Sequence, residues 1–470
     1  MTCKPTFWNL AALAAAGVVA FAAVSAQRPA AHAAGGGGYV PRARGTLTFT
    51  KDIAPILLKQ CADCHRSGQI GPFSLLSYQD VKKRATQIAA VTQSRYMPPW
   101  HADSHGEFVD ERRLTADQIG EIKQWADEGA AAGAAKDMPA LPKYPEGWML
   151  GKPDLVLEMS KSYTMRAEGG DVYRCFVLPT GVTEDKYVAA MEVHPGNSRI
   201  VHHVIAYLDR SGKARQLEAQ NHDGLPGYSV AGGIGIRPTG ALGGWAPGNL
   251  PRLLPDGVGT LLQKNSDVVL QVHYHSSGKQ ETDQTKLGIY FCKKPVDKRL
   301  RVTLALAALN IPAGDAHYET KGGSLRFDND VSVLEVMPHM HLLGRDMAVT
   351  ANLPNGSHKA MIKVPDWDFN WQTTYMYKNP VKLPAGTDFN LVAHYDNSTG
   401  NPRNPNSPPR KVTWGEQTTD EMCIAFIWYT IDRESITQGK PVEDLLDKLS
   451  GVGNGNGGGR RLRRLVGGNQ

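Results

Sequence analysis

From Asp154 onward the chain is written in short apolar runs broken by Gly, Pro, Asn and Asp: "DLVLEM", "YRCFVLP", "KYVAAMEVHP", "HHVIAYLD", "DVVLQVHYH" and "KLGIYFCKK", then "RVTLALAALNIP", "DVSVLEVMPHMHLL", "DMAVTANLP", "TDFNLVAHYD" and "EMCIAFIWYT". Runs of this length separated by turn residues are strands, and almost no helical period interrupts them. They predict two antiparallel, jelly-roll-like sandwich domains, over residues 147–295 and 300–432, with the chain crossing between them near residues 293–300.

The preceding stretch is patterned differently. "FTKDIAPILLKQCADCH" predicts a helix that delivers Cys61, Cys64 and His65 at its end. "LTADQIGEIKQWADEGA" predicts a second helix, capped by Thr115 with Gln118 answering it, whose apolar stripe is Ile119, Ile122, Trp125 and Ala126. The fold expected is therefore multidomain: a small all-α domain over 46–134, then two all-β domains.

The ends are set apart by composition. Residues 1–26 have the layout of a secretory signal peptide, with a lysine, an apolar run and a small-residue site at Ala26. Its apolar core, roughly 17 residues, is short for a membrane span, an uncleaved anchor being the alternative. Residues 27–45 read as a Gly/Ala-rich linker and 433–470 as a tail that is flexible and basic at its end. The expected location is the periplasm or the outside of the cell, with no transmembrane segment in the mature chain. A net charge of +6 with no concentrated basic patch excludes nucleic acid as a partner. Six cysteines in 470 residues are too few for a disulfide-stapled scaffold. Cys3 leaves with the leader and Cys61 and Cys64 form their own motif, so export permits one bond among Cys175, Cys292 and Cys423.

In an exported chain CxxCH is the attachment signature of a c-type haem: two thiols bond the vinyl groups and the adjacent histidine takes an axial position. Cys61, Cys64 and His65 fill these roles, with Met97 of "SRYMPPWH" as second axial ligand and His101 or His105 as the alternatives, and residues 46–134 thereby resemble a class I cytochrome c domain. A zinc site would need two more soft ligands at close spacing. A thioether partner raises the haem potential and suits an electron relay. The segment "MPPWHADSHG" is read as shielding the haem edge, docking against a β-domain being the alternative.

The histidines of the β-region cluster. His202 and His203 are adjacent in "RIVHHVIAYLD", although neighbouring strand residues point to opposite faces. In "DVVLQVHYH", Val269, Gln271, His273 and His275 share one face, and His339 and His341 share a face in "LEVMPHMHLLG". Alternating imidazoles in apolar strands suit metal binding, and Met422 of "TTDEMCIAFIWY" adds a soft thioether. Three histidines at one site and two histidines with a methionine at another point to copper in redox use.

"VHHV", "VLQVHYH", "PHMHLLGR" and "DEMC" together resemble the copper type II, ascorbate-dependent monooxygenases, the family of peptidylglycine alpha-hydroxylating monooxygenase and dopamine beta-hydroxylase. The resemblance covers about residues 153–430. It implies an electron-transfer copper on His202, His203 and His273, and a catalytic copper on His339, His341 and Met422. Gln271 matches a glutamine on the path between the coppers, and His275 lies just past the matched ligand as a supporting neighbour. Cys175 and Cys292 resemble the disulfide that closes the first domain, and Cys423 matches a half-cystine without an evident partner. Met337, Ile424 and Phe426 replace the residues that grip a substrate carboxylate in the peptide-processing member, which favours an apolar substrate.

The function expected is an exported copper monooxygenase carrying two copper ions and one covalent haem c. It hydroxylates a C–H bond of a small organic molecule with O2. Electrons come from ascorbate or from a periplasmic donor protein through the haem, which feeds the first-domain copper. The alternative is an electron-transfer or copper-carrying protein without oxygenase activity.

Overall fold

Residues 38–145, 147–230 and 233–444 are described by a computed structural model; the expected leader, most of the linker and the basic end of the tail lie outside them. No helix among the described residues is long and apolar enough to cross a membrane. The architecture is mixed: helices first, then two β-units.

The helical part consists of a wide turn at Phe49–Ile53 and helices Ala54–Gln60, Tyr78–Lys82, Ala85–Gln93 and Ala116–Asp127. Pro55 stands in the first turn of Ala54–Gln60, where no N–H is needed, and the helix ends at Cys61. The Thr115–Gln118 capping box forms with bonds of 3.0 and 3.1 Å, a cap worth about 1 kcal/mol. Ile122 and Trp125 bury against Leu47, Phe49, Ile53, Leu57 and Ile88.

This part does not stand alone. After Ala85–Gln93 the chain leaves it: Trp100, Ala102 and Phe108 join the core of the last β-unit, and Phe108 forms a bridge with Tyr377. "MPPWHADSHG" thus docks against a β-unit, the alternative of its two readings. Aromatic side chains of this size remove more apolar area from water against a curved sheet than over a small helical cluster.

The first β-unit packs a five-stranded sheet, ordered Leu155–Glu158, Lys286–Phe291, Lys186–His194, Val258–Leu262 and Lys298–Arg299, over a four-stranded one, ordered Val172–Pro179, Asp267–Tyr274, Val201–Asp209 and Gly240–Trp245. Val268, Leu270, Val272 and Tyr274 face the core between the sheets. Val269 faces outward into a smaller cluster with Cys175, Tyr228 and Ile234, so Asp267–Tyr274 is buried on both sides.

The second β-unit is one eight-stranded sheet that curls over a single core. Two stacked sheets were expected, but its halves remain joined through one antiparallel pair, Leu306 and Gly323. A Cβ at the neighbouring Gly322 would lie 1.9 Å from the Leu306 carbonyl oxygen, so the corner requires glycine.

The expected Cys175–Cys292 disulfide is absent: Cys61, Cys64, Cys175, Cys292 and Cys423 are all free. Cys175 is buried on the outer face of the four-stranded sheet, whereas Cys292 follows Lys286–Phe291 in the other sheet with its Sγ 3.5 Å from the Val258 carbonyl. The two thiols serve different sheets.

Candidate metal centres

Adjacent strand residues should diverge, yet His202 and His203 converge. The pairing of Val201–Asp209 with Asp267–Tyr274 runs Val201 to Tyr274 and then His203 to His273, leaving His202 as the extra residue of a β-bulge. A bulge re-aims side chains by breaking the two-residue alternation. The Nδ1 atoms of His202, His203 and His273 form a triangle with sides of 3.2, 3.2 and 3.4 Å. Three N–H groups could not face one another at that spacing, whereas three lone pairs around one cation could. Burial, and then the neighbouring His273, lowers His202 to about 3, and the same causes push His203 well down, so both rings are neutral.

Asp171 supports this cluster. Its carboxylate reaches His273 Nε2 at 3.3 Å and His275 Nδ1 at 2.8 Å, and the Tyr173 ring stacks on His273 at 4.2 Å. Burial pushes the Asp171 carboxyl up, but the His273, His275 and Thr418 groups that face it outweigh this and hold it well below its usual range. A carboxylate on the far nitrogen fixes a ligand ring's orientation and raises its basicity. His275 lies beside the triangle. Gln271 turns its amide to the Gly233 carbonyl at 2.6 Å, and the Gly233 N–H in turn bonds Glu416 of the second β-unit.

In the second β-unit, His339 ends the strand Val331–His339, Met340 points into the core, and His341 returns to the same face. The ring centres of His339 and His341 are 5.2 Å apart. His339 Nδ1 donates to Gln372 Oε1 at 2.7 Å and His341 Nδ1 to the Asp420 carbonyl at 3.1 Å, which leaves both Nε2 atoms as acceptors. Burial is the chief cause lowering them to about 3 and about 4.

The paired register ends with His339 opposite Ile424, and Met422 lies two residues before Ile424, half-buried. Buried Glu421 locks that junction by accepting from the amides of His341 at 2.8 Å and Leu343 at 2.6 Å.

Residues 315–440 match the copper type II ascorbate-dependent monooxygenase, C-terminal domain. His339, His341 and Met422 all fall inside the matched residues. DBH-like monooxygenase protein 1 of Gallus gallus is 23% identical over 44% of this chain and 36% of its own length. The Mus musculus protein of that name is 22% identical over 60% and 48%. The chain spans about half, or less, of the length of the curated relatives it matches. Among solved structures, N-glycanase F aligns over 62% of this chain and 97% of its own at 12% identity, with a TM-score of 0.28 that carries no argument. The domain match and the three-imidazole cluster together support a copper-dependent monooxygenase activity.

The CxxCH segment lies upstream of the matched residues in the chain, and Cys64 lines the same cavity as Glu335, Thr374 and Trp428. His65 Nδ1 donates to the Phe73 carbonyl at 3.2 Å, leaving Nε2 open, and burial lowers its basicity. Burial pushes the Cys61 thiol up to about 12 and raises Cys64. Met97 sits half-buried in the turn after Ala85–Gln93, its amide bonded to the Val91 carbonyl. Of its alternatives, His101 donates to the Asp366 carbonyl at 2.9 Å and His105 is exposed beside Asp103.

Sequence reasoning missed Asp171, Tyr173, Phe369 and Gln372. Each is a common residue type whose role depends on packing against a distant segment. Glu421 alone had a signal, its place beside Met422.

Proposed function

We propose that the protein is an exported copper monooxygenase that hydroxylates a C–H bond of a small, apolar organic molecule with O2, supplied with electrons by a c-type haem, ascorbate or both. The observation that carries this reading is the pair His339 and His341 on one face inside the matched residues, together with the three-imidazole triangle in the neighbouring unit; Met422 would add the thioether.

The residues fit the groups proposed. Neutral imidazoles with a thioether form a donor set for copper in both oxidation states. Two free thiols at a helix end, beside a histidine whose Nδ1 is fixed by a carbonyl, suit covalent haem. Copper at these sites supplies the one-electron chemistry by which one atom of O2 enters the substrate and the other leaves as water, with two electrons and two protons consumed.

The chain's own residues do the rest. Gln372 and the Asp420 carbonyl hold His339 and His341 in the tautomer that presents Nε2. Phe426, edge-on to His339 at 6.4 Å and paired with Met337, lines the approach without a donor for a carboxylate, which supports an apolar substrate. Cys61, Cys64 and His65 would hold the haem, and Met97 would be the thioether to complete its ligands.

Purified protein should contain two coppers and one covalent haem iron, and turnover under 18O2 should place label in an alcohol. Oxygen consumed only to peroxide, whichever substrate is offered, would replace this reading by a copper-carrying or electron-transfer protein.

A further inference from the structure

Resting on the proposed function, we infer that electrons from the CxxCH haem pass directly to the His339–His341–Met422 centre through a bridge of Arg112, Gly248–Asn249 and Gln372. Arg112 is only 6% exposed. Its Nη1 lies 4.0 Å from Cys64 Sγ, and its Nη2 donates to the Gly248 carbonyl at 3.0 Å. The next residue, Asn249, donates from Nδ2 to the Gln372 carbonyl at 3.0 Å and accepts from the Thr374 amide at 3.1 Å. The Gln372 side chain then meets His339 Nδ1 at 2.7 Å. Beyond the first sulfur contact, every link is covalent or a hydrogen bond.

Two features show that this crossing is built. Gly248 has φ +89°, and a Cβ there would stand 3.1 Å from the Trp371 ring, so only glycine offers its carbonyl to Arg112 while Trp371 packs behind it. Burying a guanidinium is costly, and Arg112 Nε has no hydrogen-bond partner, so the cation is held at the motif at a cost that a neutral clamp would avoid.

A cavity of about 300 Å³ is lined by Cys64, Gln69 and Ile70, by Met191 and Trp245, and by Gly248 and Asn249 of the bridge itself. From Gly248 the backbone also runs through Pro247 and Ala246 to Trp245, which pairs with Val204, next to His203, so a second bonded branch leads toward the three-imidazole site and the double variant below separates the two. The transfer oxidises haem iron from Fe(II) to Fe(III) and reduces copper from Cu(II) to Cu(I), one electron each, with no proton moved.

The test uses full-length protein loaded with copper, its haem reduced anaerobically and then followed by stopped-flow absorbance, with copper EPR on frozen samples. In His202→Ala/His203→Ala, haem oxidation and loss of the remaining Cu(II) signal should keep the wild-type rate. Asn249→Leu and the near-isosteric Asn249→Asp, checked for fold by circular dichroism, should lose the fast phase in either background. Haem that stays ferrous in the double variant, or a fast phase unchanged in both folded Asn249 variants, overturns the inference. A wild-type preparation without a covalent haem band instead overturns the proposed function, and is read before any variant is made.

Discussion

The Phe369 ring lies against the His202 imidazole, nearly parallel at 17° with centres 4.6 Å apart, although the two residues belong to different β-units. The same ring meets His341 at 5.6 Å and 76°. One side chain therefore touches both candidate metal centres, and it comes from a loop of the second unit. The rings also affect one another electrically: His341 is among the charges that lower His202.

Phe369→Ala should cost about 3–5 kcal/mol, as for other buried aromatic truncations, and lengthen the distance between the two sites. Denaturant melts measure the first effect and the dipolar coupling between two bound Cu(II) ions the second. An unchanged coupling would mean that the apposition of the units does not depend on this ring.

Asp171→Asn should weaken metal binding at the three-imidazole site by about 10- to 100-fold, because His273 loses the carboxylate that orients it. Competition against a chelator of known affinity measures the loss. His275→Ala, which leaves the His273 contact in place, should have the smaller effect.

Met422→Ala should abolish the copper EPR signal that carries the thioether signature and stop alcohol formation, with the haem absorbance intact. Retention of both copper signals would remove Met422 from the centre.

The crossing between the β-units is locked by Glu434, 1% exposed, whose carboxylate pairs with Arg299 at 2.7 Å and Arg301 at 2.9 Å. Burial pushes its pKa up, but these guanidiniums and the Arg299 amide bring it down to about 2. The stabilisation is complete above the unfolded glutamate value near ~4.3 and is lost as pH falls toward 2. Glu434→Gln should cost about 3–5 kcal/mol at pH 7, since two buried arginines lose their counter-charge. The difference from wild type should shrink in melts run through that acid window.

Glu335 shifts the opposite way. It faces the central cavity, where burial lifts it to about 7 against the pull of Arg252. The folded protein then binds this proton more tightly than the unfolded chain, so stability falls as pH rises from ~4.3 to 7. Glu335→Gln should match wild type near pH 4 and exceed it at pH 8 in thermal melts.

The β-runs, the capping box at Thr115 and the helix ending at Cys61 were legible because each depends on spacing within a few residues. The shared face of His339 and His341 was legible for the same reason, through strict two-residue alternation. That rule fails at His202, where the bulge belongs to the pairing with Asp267–Tyr274 and leaves no mark in "VHHV". The free cysteines show the reverse error, a pairing implied by resemblance that two separate sheets keep apart.

Taken alone, the order of residues determined the elements, the CxxCH motif and the identity of the histidines and methionine, since backbone propensity and side-chain period act locally. Tertiary structure decided that Trp100 and Phe108 leave the helices for the last core, that Phe369 touches both His202 and His341, and that Arg112 reaches Gly248. Those outcomes depend on segments far apart in the chain competing to bury the same apolar surface and satisfy the same carbonyls, and no local pattern encodes which of them prevails.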